Sequence, residues 1–439
     1  VNNYFRKGME STVWFANDPR SVEPGRKPNM AMAWVGKGCV GRCTFCQRFS
    51  KGYHLFDLKK FEEHIKELKN RHDVQYFILT GENFGLPRDF AYDVARILKK
   101  HEMLWFAGGA RCTNFRPEDY KFFRECGCIG LKFGVESGSQ KILDIMEKMF
   151  SVEQLTAALK VAADNGMLAP LSLCIGMPGE TDETIMQTGK FIGEISRMQG
   201  IPPLDVAVFY ALPLPGAPLY EYGQLHGVIG TEPDEEEQYL IYISDRDSDR
   251  TNYINMTGVK TKKVLFWEHM IFYEANRVFY SSPLDKRIQT SENKADNADA
   301  GRISKDLVPT KESRGNLIKK VITKNPQIMI TALKSPFSYL NGVMCRSRFA
   351  TKIPRSVLYP IMRNLIYLEY SINLFFRRIG GFITNDRWNR LDIKFKKKKC
   401  SHLITTNESL RQINDKIRQS MPAPATLTEK NQILLYKGR

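Results

Sequence analysis

Three cysteines crowded into one short loop limit what this chain can be built around. In residues 38–49, Gly-Cys-Val-Gly-Arg-Cys-Thr-Phe-Cys-Gln-Arg-Phe, Cys39, Cys43 and Cys46 are separated by three and then two residues. That spacing lets one tight turn aim three thiolates at a common centre, with Gly38 and Gly41 permitting the curl. Three ligands on a cube of four irons leave one iron open, which suits chemistry on a bound molecule. A structural zinc or a plain electron-transfer cluster takes a fourth protein ligand instead. Zinc would have to recruit His54, yet zinc spacings pair cysteines and histidines in two short couples, and no second couple follows. A chance grouping in a chain with nine cysteines is the other plain alternative. The loop reads best as the seat of a 4Fe-4S cluster held by Cys39, Cys43 and Cys46.

The surrounding pattern puts this loop where such a site belongs. Short apolar runs at 30–35, 74–79, 103–107, 129–135, 171–175 and 206–210 are six candidate strands. Between them Phe61, Ile65 and Leu68, and then Phe90, Val94 and Ile97, recur at helical spacing. Ser151-Val-Glu-Gln154 reads as a capping box that opens a helix stopping at Gly166. Strand and helix in alternation imply parallel strands with right-handed crossovers. Six such units predict an α/β fold, a partial TIM-like (β/α)6 barrel rather than a closed eight-stranded one. Ligands then belong at the carboxyl ends of the strands, and the cysteine loop follows the first strand there. The pattern at 264–279, with Leu265, Phe272 and Phe279, predicts a closing helix packed on the barrel, after an acidic, polar stretch at 230–250.

The C-x3-C-x2-C spacing with aromatic Phe45 just before the last cysteine resembles the radical S-adenosylmethionine (radical SAM) superfamily. Gly134-Val-Glu-Ser-Gly-Ser139, Ile175-Gly-Met-Pro-Gly-Glu-Thr181 and Leu214-Pro-Gly-Ala-Pro-Leu219 resemble the branch that includes cobalamin-binding radical SAM enzymes and anaerobic magnesium-protoporphyrin ester cyclases. The resemblance covers residues 28–280 and leaves the tail unexplained. It implies the partial barrel again, and it implies that S-adenosylmethionine binds the open iron through its amino nitrogen and carboxylate. One electron, from a donor such as flavodoxin or ferredoxin, then splits the sulfonium to methionine and a 5'-deoxyadenosyl radical, which takes hydrogen from a substrate not identified by the sequence.

Cofactor-binding positions follow motif by motif from the same resemblance. Phe45 is grouped with them through its place in the cysteine loop. Thr80-Gly81-Glu82 resembles the family's Gly-Gly-Glu element, which receives the methionine ammonium; Gly81 and Glu82 carry it over, while Thr80 departs from it. Glu136 and Ser137 offer groups suited to ribose hydroxyls. Ile175 offers an apolar surface for adenine, and Gly176 with Gly179 offers backbone clearance. The motif's acidic residue falls one position late, at Glu180. Plainer roles compete: Glu82 as an ordinary surface residue, Ser137 or Ser139 as a helix cap, and Glu180 as a carboxylate at the positive end of the next helix. Arg111, just past the third strand, is expected to point into the same mouth, toward a carboxylate of substrate or cofactor. No residue is singled out as catalytic.

The implied chemistry is methyl transfer, cyclisation or oxidation. No cobalamin domain lies within these 439 residues, so cobalamin enters only if such a domain precedes Val1. An RNA-modifying methylthiotransferase-like enzyme is the alternative within the family, but no second three-cysteine cluster lies upstream and no convincing small β-barrel follows the core. A noncatalytic iron-sulfur scaffold binding RNA or an anionic membrane is the alternative outside it. The complete cysteine loop beside cofactor-like motifs argues against the scaffold.

Charge divides the chain. Residues 281–439 hold 31 Lys+Arg against 12 Asp+Glu, a surplus of 19, whereas the remaining 34 and 36 leave residues 1–280 at −2. Charge therefore gives no support to a nucleic-acid footprint on the catalytic part. The expected organisation is a lead-in at 1–29, a radical SAM core at 30–280, a polar linker at 281–315, and a basic extension at 316–439 that is mainly helical or partly disordered. Within the extension Ile361, Leu365, Leu368, Ile372 and Phe375 form a helical stripe after Pro360, interrupted by Arg363 and Glu369. It reads either as a helix packed on the domain or as an interfacial membrane helix, and it is too polar for a confident span. The basic run of Arg377, Arg378, Arg387, Arg390, Lys394 and 396–399 is expected to contact an anionic membrane surface or RNA, or to aid solubility alone. No signal peptide opens the sequence as given, and the odd cysteine count favours a reducing cytoplasm, with the tail at the inner membrane face. Cys112, Cys126, Cys128, Cys174 and Cys345 read as small buried thiols.

Overall fold

The computed structural model describes residues 29–47, 52–200, 203, 206–244, 253–281, 336–383, 407–420 and 433–434. Residues 1–28 of the lead-in, 282–315 of the polar linker and the basic run from Arg387 onward lie outside them.

Strand β1 (Asn29–Trp34) runs into an antiparallel hairpin of β2 (Gly36–Cys39) and β3 (Gly52–Leu55), whose turn region contains the cysteine loop. Then follow β4 (Val74–Thr80), β5 (Leu104–Ala110), β6 (Cys128–Glu136), β7 (Leu171–Ile175) and β8 (Ala207–Tyr210). With β1 they form one six-stranded sheet in the order β1-β4-β5-β6-β7-β8, every neighbour parallel. This is the expected partial barrel, a curled sheet without closure between β1 and β8.

The helices return the chain between strands. Helix α1 (Leu58–His72) buries Phe61, Ile65 and Leu68, and Asp57 caps it by accepting from the Lys60 N–H at 2.8 Å. Helix α2 (Arg88–Lys100) buries Val94 and Leu98, and α3 (Pro117–Glu125) and the short α4 (Gln140–Ile145) follow. Helix α5 (Val152–Asp164) carries the Ser151–Gln154 capping box, satisfying two end amides reciprocally. It ends at Asp164 rather than Gly166, which then takes a left-handed φ of 64°. After α6 (Asp182–Gln199) and α7 (Pro218–Leu225), the acidic stretch proves to contain a helix, α8 (Pro233–Ser244), with acidic side chains in its first turn, where the helix dipole favours them. The closing helix α9 (Thr261–Phe279) starts three residues before the pattern at 264 and lies against α6.

Period-two alternation sorts the strand residues. Ala31, Ala33 and Val35 join the main core beneath the helices, whereas Met30, Tyr76, Phe106 and Ile129, with Leu104 packed against them, plug the concave side of the sheet.

The extension is no detached tail. Helix α10 (Pro336–Cys345) and helix α11 (Arg355–Ile383) pack on α9, and Cys345, Leu358, Met362 and Ile366 enter the main core. Pro360 lies inside α11, not ahead of it, past the first turn, so the helix goes on there without the i→i−4 bond that a proline cannot donate. At the junction the buried Glu274 carboxylate accepts from Arg355 Nε and Tyr359 OH, both at 2.5 Å, and from Arg355 Nη2. Tyr273 OH donates to the Ile353 carbonyl at 2.6 Å. Removing one partner of a buried pair costs about 3–5 kcal/mol. Because the Arg355 side chain is 38% exposed, screening reduces that to roughly 2–3 kcal/mol. Arg355→Ala should therefore lower the urea midpoint clearly, and an unchanged midpoint would mean that apolar packing alone holds the extension.

Candidate active site

Three hydrogen bonds tie the cysteine loop to two other segments. Thr44 N–H donates to the Met146 carbonyl at 3.0 Å, Thr44 Oγ1 to the Ile145 carbonyl at 2.9 Å, and Leu219 N–H to the Thr44 carbonyl at 2.8 Å. Inside the loop, Cys46 N–H donates to the Cys43 carbonyl at 3.2 Å and Gly41 N–H to Cys39 Sγ at 3.3 Å. A Cβ on residue 41 would stand 3.0 Å from Arg111 Nη1, 3.2 Å from Cys39 Sγ and 3.8 Å from Cys43 Sγ. A larger residue there would press on the arginine tip and on Cys39 Sγ, each of which would have to give by a few tenths of an ångström.

Two cations face the thiols. Arg111 Nη1 lies 3.8 Å from Cys43 Sγ, and its Nη2 donates to the Lys148 carbonyl. Lys148 is buried, donates to Glu136 Oε1 at 3.3 Å, and sits 5.8 Å from the Phe45 ring and 5.4 Å from the Phe150 ring. Burial pulls the Lys148 pKa down, but Glu136 and Cys43 outweigh it, so the ammonium holds its proton more firmly than usual. The hydrogen bond between Cys46 and Cys43 holds the Cys43 thiol well below the ordinary range, helped by Lys148 and Arg111. The same bond pushes Cys46 up, and burial pushes Cys39 up.

The backbone here is strained. Glu136, Glu147 and Met149 hold left-handed φ values of 62°, 47° and 57° without being glycine, and the last two flank Lys148. Arg42 locks that segment to the cysteine loop, donating from Nε to Glu147 Oε2 at 2.6 Å. It also reaches helix α12 (Asn407–Ser420): Arg42 Nη2 donates to Asp415 Oδ1 at 2.6 Å, and Asn414 Nδ2 donates to the Arg42 carbonyl at 2.7 Å. Leu410 and Ile413 of α12 join the apolar cluster that includes Phe45.

Soft thiolates backed by two fixed cations suit an iron-sulfur cluster, whose negative charge they would offset. Among the described residues no three His, Cys, Asp or Glu are drawn together tightly enough for a single metal ion, whereas a cube of four irons takes its thiolates at separate corners.

The other expected positions divide. Gly81 and the exposed Glu82 lie at the carboxyl end of β4, with Glu82 close enough to Cys39 to raise its thiol pKa. Gly176 has a φ of 86°, and a Cβ there would strike the Tyr253 ring at 2.6 Å. Ile175 is buried. Strand parity turns it into the main core, paired with Tyr210, and gives the concave face to Cys174. Ser137 is buried, lies 3.0 Å from the Thr188 hydroxyl and accepts from the Ser139 N–H, so its hydroxyl is committed to the joint with α6. Glu180 accepts from the Gly176 and Met177 amides at 2.5 and 3.1 Å, tying its own turn together, while Thr181 caps α6. Burial pushes Glu180 up to about 8 against the pull of those amides. Arg111 lies beside the Cys43 thiol and the Lys148 carbonyl. Cys112, Cys126, Cys128, Cys174 and Cys345 are buried and form no disulfide.

Lys148, Arg42 and Glu147 escaped the sequence reading, and no motif signals them. Above the apolar plug the concave face also carries Met32, Trp34 and Phe209, which are 57%, 50% and 43% exposed. Strand register places Met32 and Trp34 beside Ile78 and Thr80, and Phe209 beside Cys174.

A family model described as the radical SAM superfamily matches residues 35–192. Over 168 residues the chain is 31% identical to an anaerobic magnesium-protoporphyrin IX monomethyl ester cyclase of Rubrivivax gelatinosus, covering 37% of this chain and 29% of that one. Over 203 residues it is 28% identical to an uncharacterized methyltransferase of Pyrococcus horikoshii, covering 45% and 42%. The matched region thus spans less than half the length of either relative. Among solved structures, the radical S-adenosylmethionine methyltransferase TsrM of Kitasatospora setae, with cobalamin and a 4Fe-4S cluster bound, aligns with a TM-score of 0.40 and 17% identity over 47% of this chain and 39% of that one.

Proposed function

This chain carries a radical SAM superfamily domain, and on that premise we propose that it cleaves S-adenosylmethionine reductively to start radical chemistry on an apolar-bodied substrate seated in the concave face of the sheet. The observation that carries the reading is the three-cysteine loop after the first strand, with Arg111 beside Cys43 and the buried Lys148 on Glu136 at the carboxyl ends of the neighbouring strands. When bound, the cluster on those cysteines supplies the single electron that splits the sulfonium.

The chain's own groups do the rest. Gly81 and Glu82 offer a carbonyl and a carboxylate to an ammonium, and Glu136, steadied by Lys148, offers a second acceptor. Gly176 gives clearance beside Tyr253. The plug of Met30, Tyr76, Phe106 and Ile129 closes the bottom of the concave face against water, which protects a carbon radical from stray hydrogen donors. Met32, Trp34 and Phe209 offer apolar and aromatic surface above it, so binding there would gain from burying a flat or hydrocarbon body. Methyl transfer, cyclisation and oxidation are all served by this arrangement. The methyltransferase and cyclase relatives support the first two.

Reduction of anaerobically reconstituted protein with dithionite should yield 5'-deoxyadenosine and methionine from S-adenosylmethionine. A cluster-replete protein that neither cleaves nor binds S-adenosylmethionine, by calorimetry or by change in its paramagnetic resonance, would overturn the reading.

A further inference from the structure

We infer that the outer face of α11 docks this protein on an anionic membrane surface, lying in the interface without crossing it. The stripe read from the sequence is not the packed face of α11. Leu358, Met362 and Ile366 face α9 and are buried, whereas Ile361, Leu368, Ile372, Phe375, Phe376 and Ile379 are exposed. At about 100° per residue, those six exposed positions fall within a sector of roughly 100°. Phe375 and Phe376 are 60% and 65% exposed, and none of residues 370–380 is buried, so the last turns stand away from the body. A continuous apolar sector of this kind on a folded domain marks an interaction surface.

Charge selects the occupant. Residues 336–383 hold seven Lys or Arg and a single acid, Glu369. Glu369 is itself buried, accepting from Ser338 N–H at 2.8 Å and from its hydroxyl, so no carboxylate of this segment faces out. Arg377 and Arg378 directly follow the two phenylalanines, and Arg378 lies one helical step from Phe375, at the edge of the apolar sector. Arginine there can keep its guanidinium at lipid phosphates while its stem covers acyl chain. A second copy of this chain related by a two-fold axis would set the same basic surface against itself. RNA would meet the cations but offers little to a sector that is mostly Ile and Leu. No helix among the described residues is long and apolar enough to cross a membrane, which leaves an in-plane contact.

The full chain should pellet with mixed phosphatidylcholine–phosphatidylglycerol vesicles, pellet far less with phosphatidylcholine alone, and be released by salt as screening shortens the attraction. Phe375→Ser/Phe376→Ser removes two exposed rings and should cut partitioning at least about tenfold while leaving the urea midpoint unchanged, as expected for loss of apolar burial in the bilayer. Arg377→Ser/Arg378→Ser should lower the preference for anionic vesicles. The inference fails if the parent pellets equally, or negligibly, with both vesicle types, or if the phenylalanine variant binds like the parent. It also fails if that variant instead dissolves a dimer or abolishes an RNA gel shift while the parent ignores vesicles. Neither cluster content nor S-adenosylmethionine cleavage enters these readouts, so the outcome is separate from the catalytic proposal.

Discussion

Replacing Cys39, Cys43 and Cys46 together by alanine will leave anaerobically reconstituted protein without its iron and sulfide. Thiolates are the ligands of such a cluster, and Arg111 and Lys148 cannot substitute for them because both are cations. Cys112 is the fair control. It is buried, its thiol is pushed up to about 11 mainly by that burial, and it lies beside the same two cations without belonging to the loop. Cys112→Ala should keep the full complement of iron. A triple variant that retains the parent's iron and sulfide would remove the cluster from this loop, and loss of iron in Cys112→Ala alone would move a ligand.

Lys148→Met should spare the cluster but weaken S-adenosylmethionine binding at least tenfold, which is about 1.4 kcal/mol. The ammonium lies between Glu136 and the Cys43 thiol, so its removal leaves a half-shielded carboxylate unbalanced and takes one positive charge from the thiolates. A charge-assisted contact is worth about 1.5–3 kcal/mol, enough for such an effect. Glu136→Gln in the same chain should restore part of the loss, since each single change then disturbs one shared contact. Calorimetry on cluster-replete protein checks both. Parent-like affinity in Lys148→Met would reduce Lys148 to a structural group.

Some of this was legible in residue order because the physics is local. The cysteine spacing is a property of one loop, and the Ser151–Gln154 capping box closes within four residues. The six strands alternate with helices whose apolar period survives in the folded chain, and the strand order follows chain order. The motif residues owe their placement to partners far along the chain. Ile175 sits in a motif expected beside adenine, yet strand parity sends its side chain to the helices and Cys174 to the concave side. Ser137 satisfies its hydroxyl on Thr188, fifty-one residues away, which no local pattern announces.

Residue order alone determined that three cysteines share one loop after the first strand, that the strands would be parallel, and that an apolar stripe at helical spacing runs along residues 361–375. Tertiary structure decided the rest, because it depends on groups distant in the chain. Lys148 becomes a site residue only when strained backbone at Glu147 and Met149 turns it toward Glu136 and Cys43. Arg42 gains meaning only when Asn414 and Asp415 of α12 arrive beside it. On α11, periodicity establishes that a stripe exists. Only the position of α9, anchored through Glu274 to Arg355 and Tyr359, decides that Leu358, Met362 and Ile366 are covered while Phe375 and Phe376 are left facing solvent.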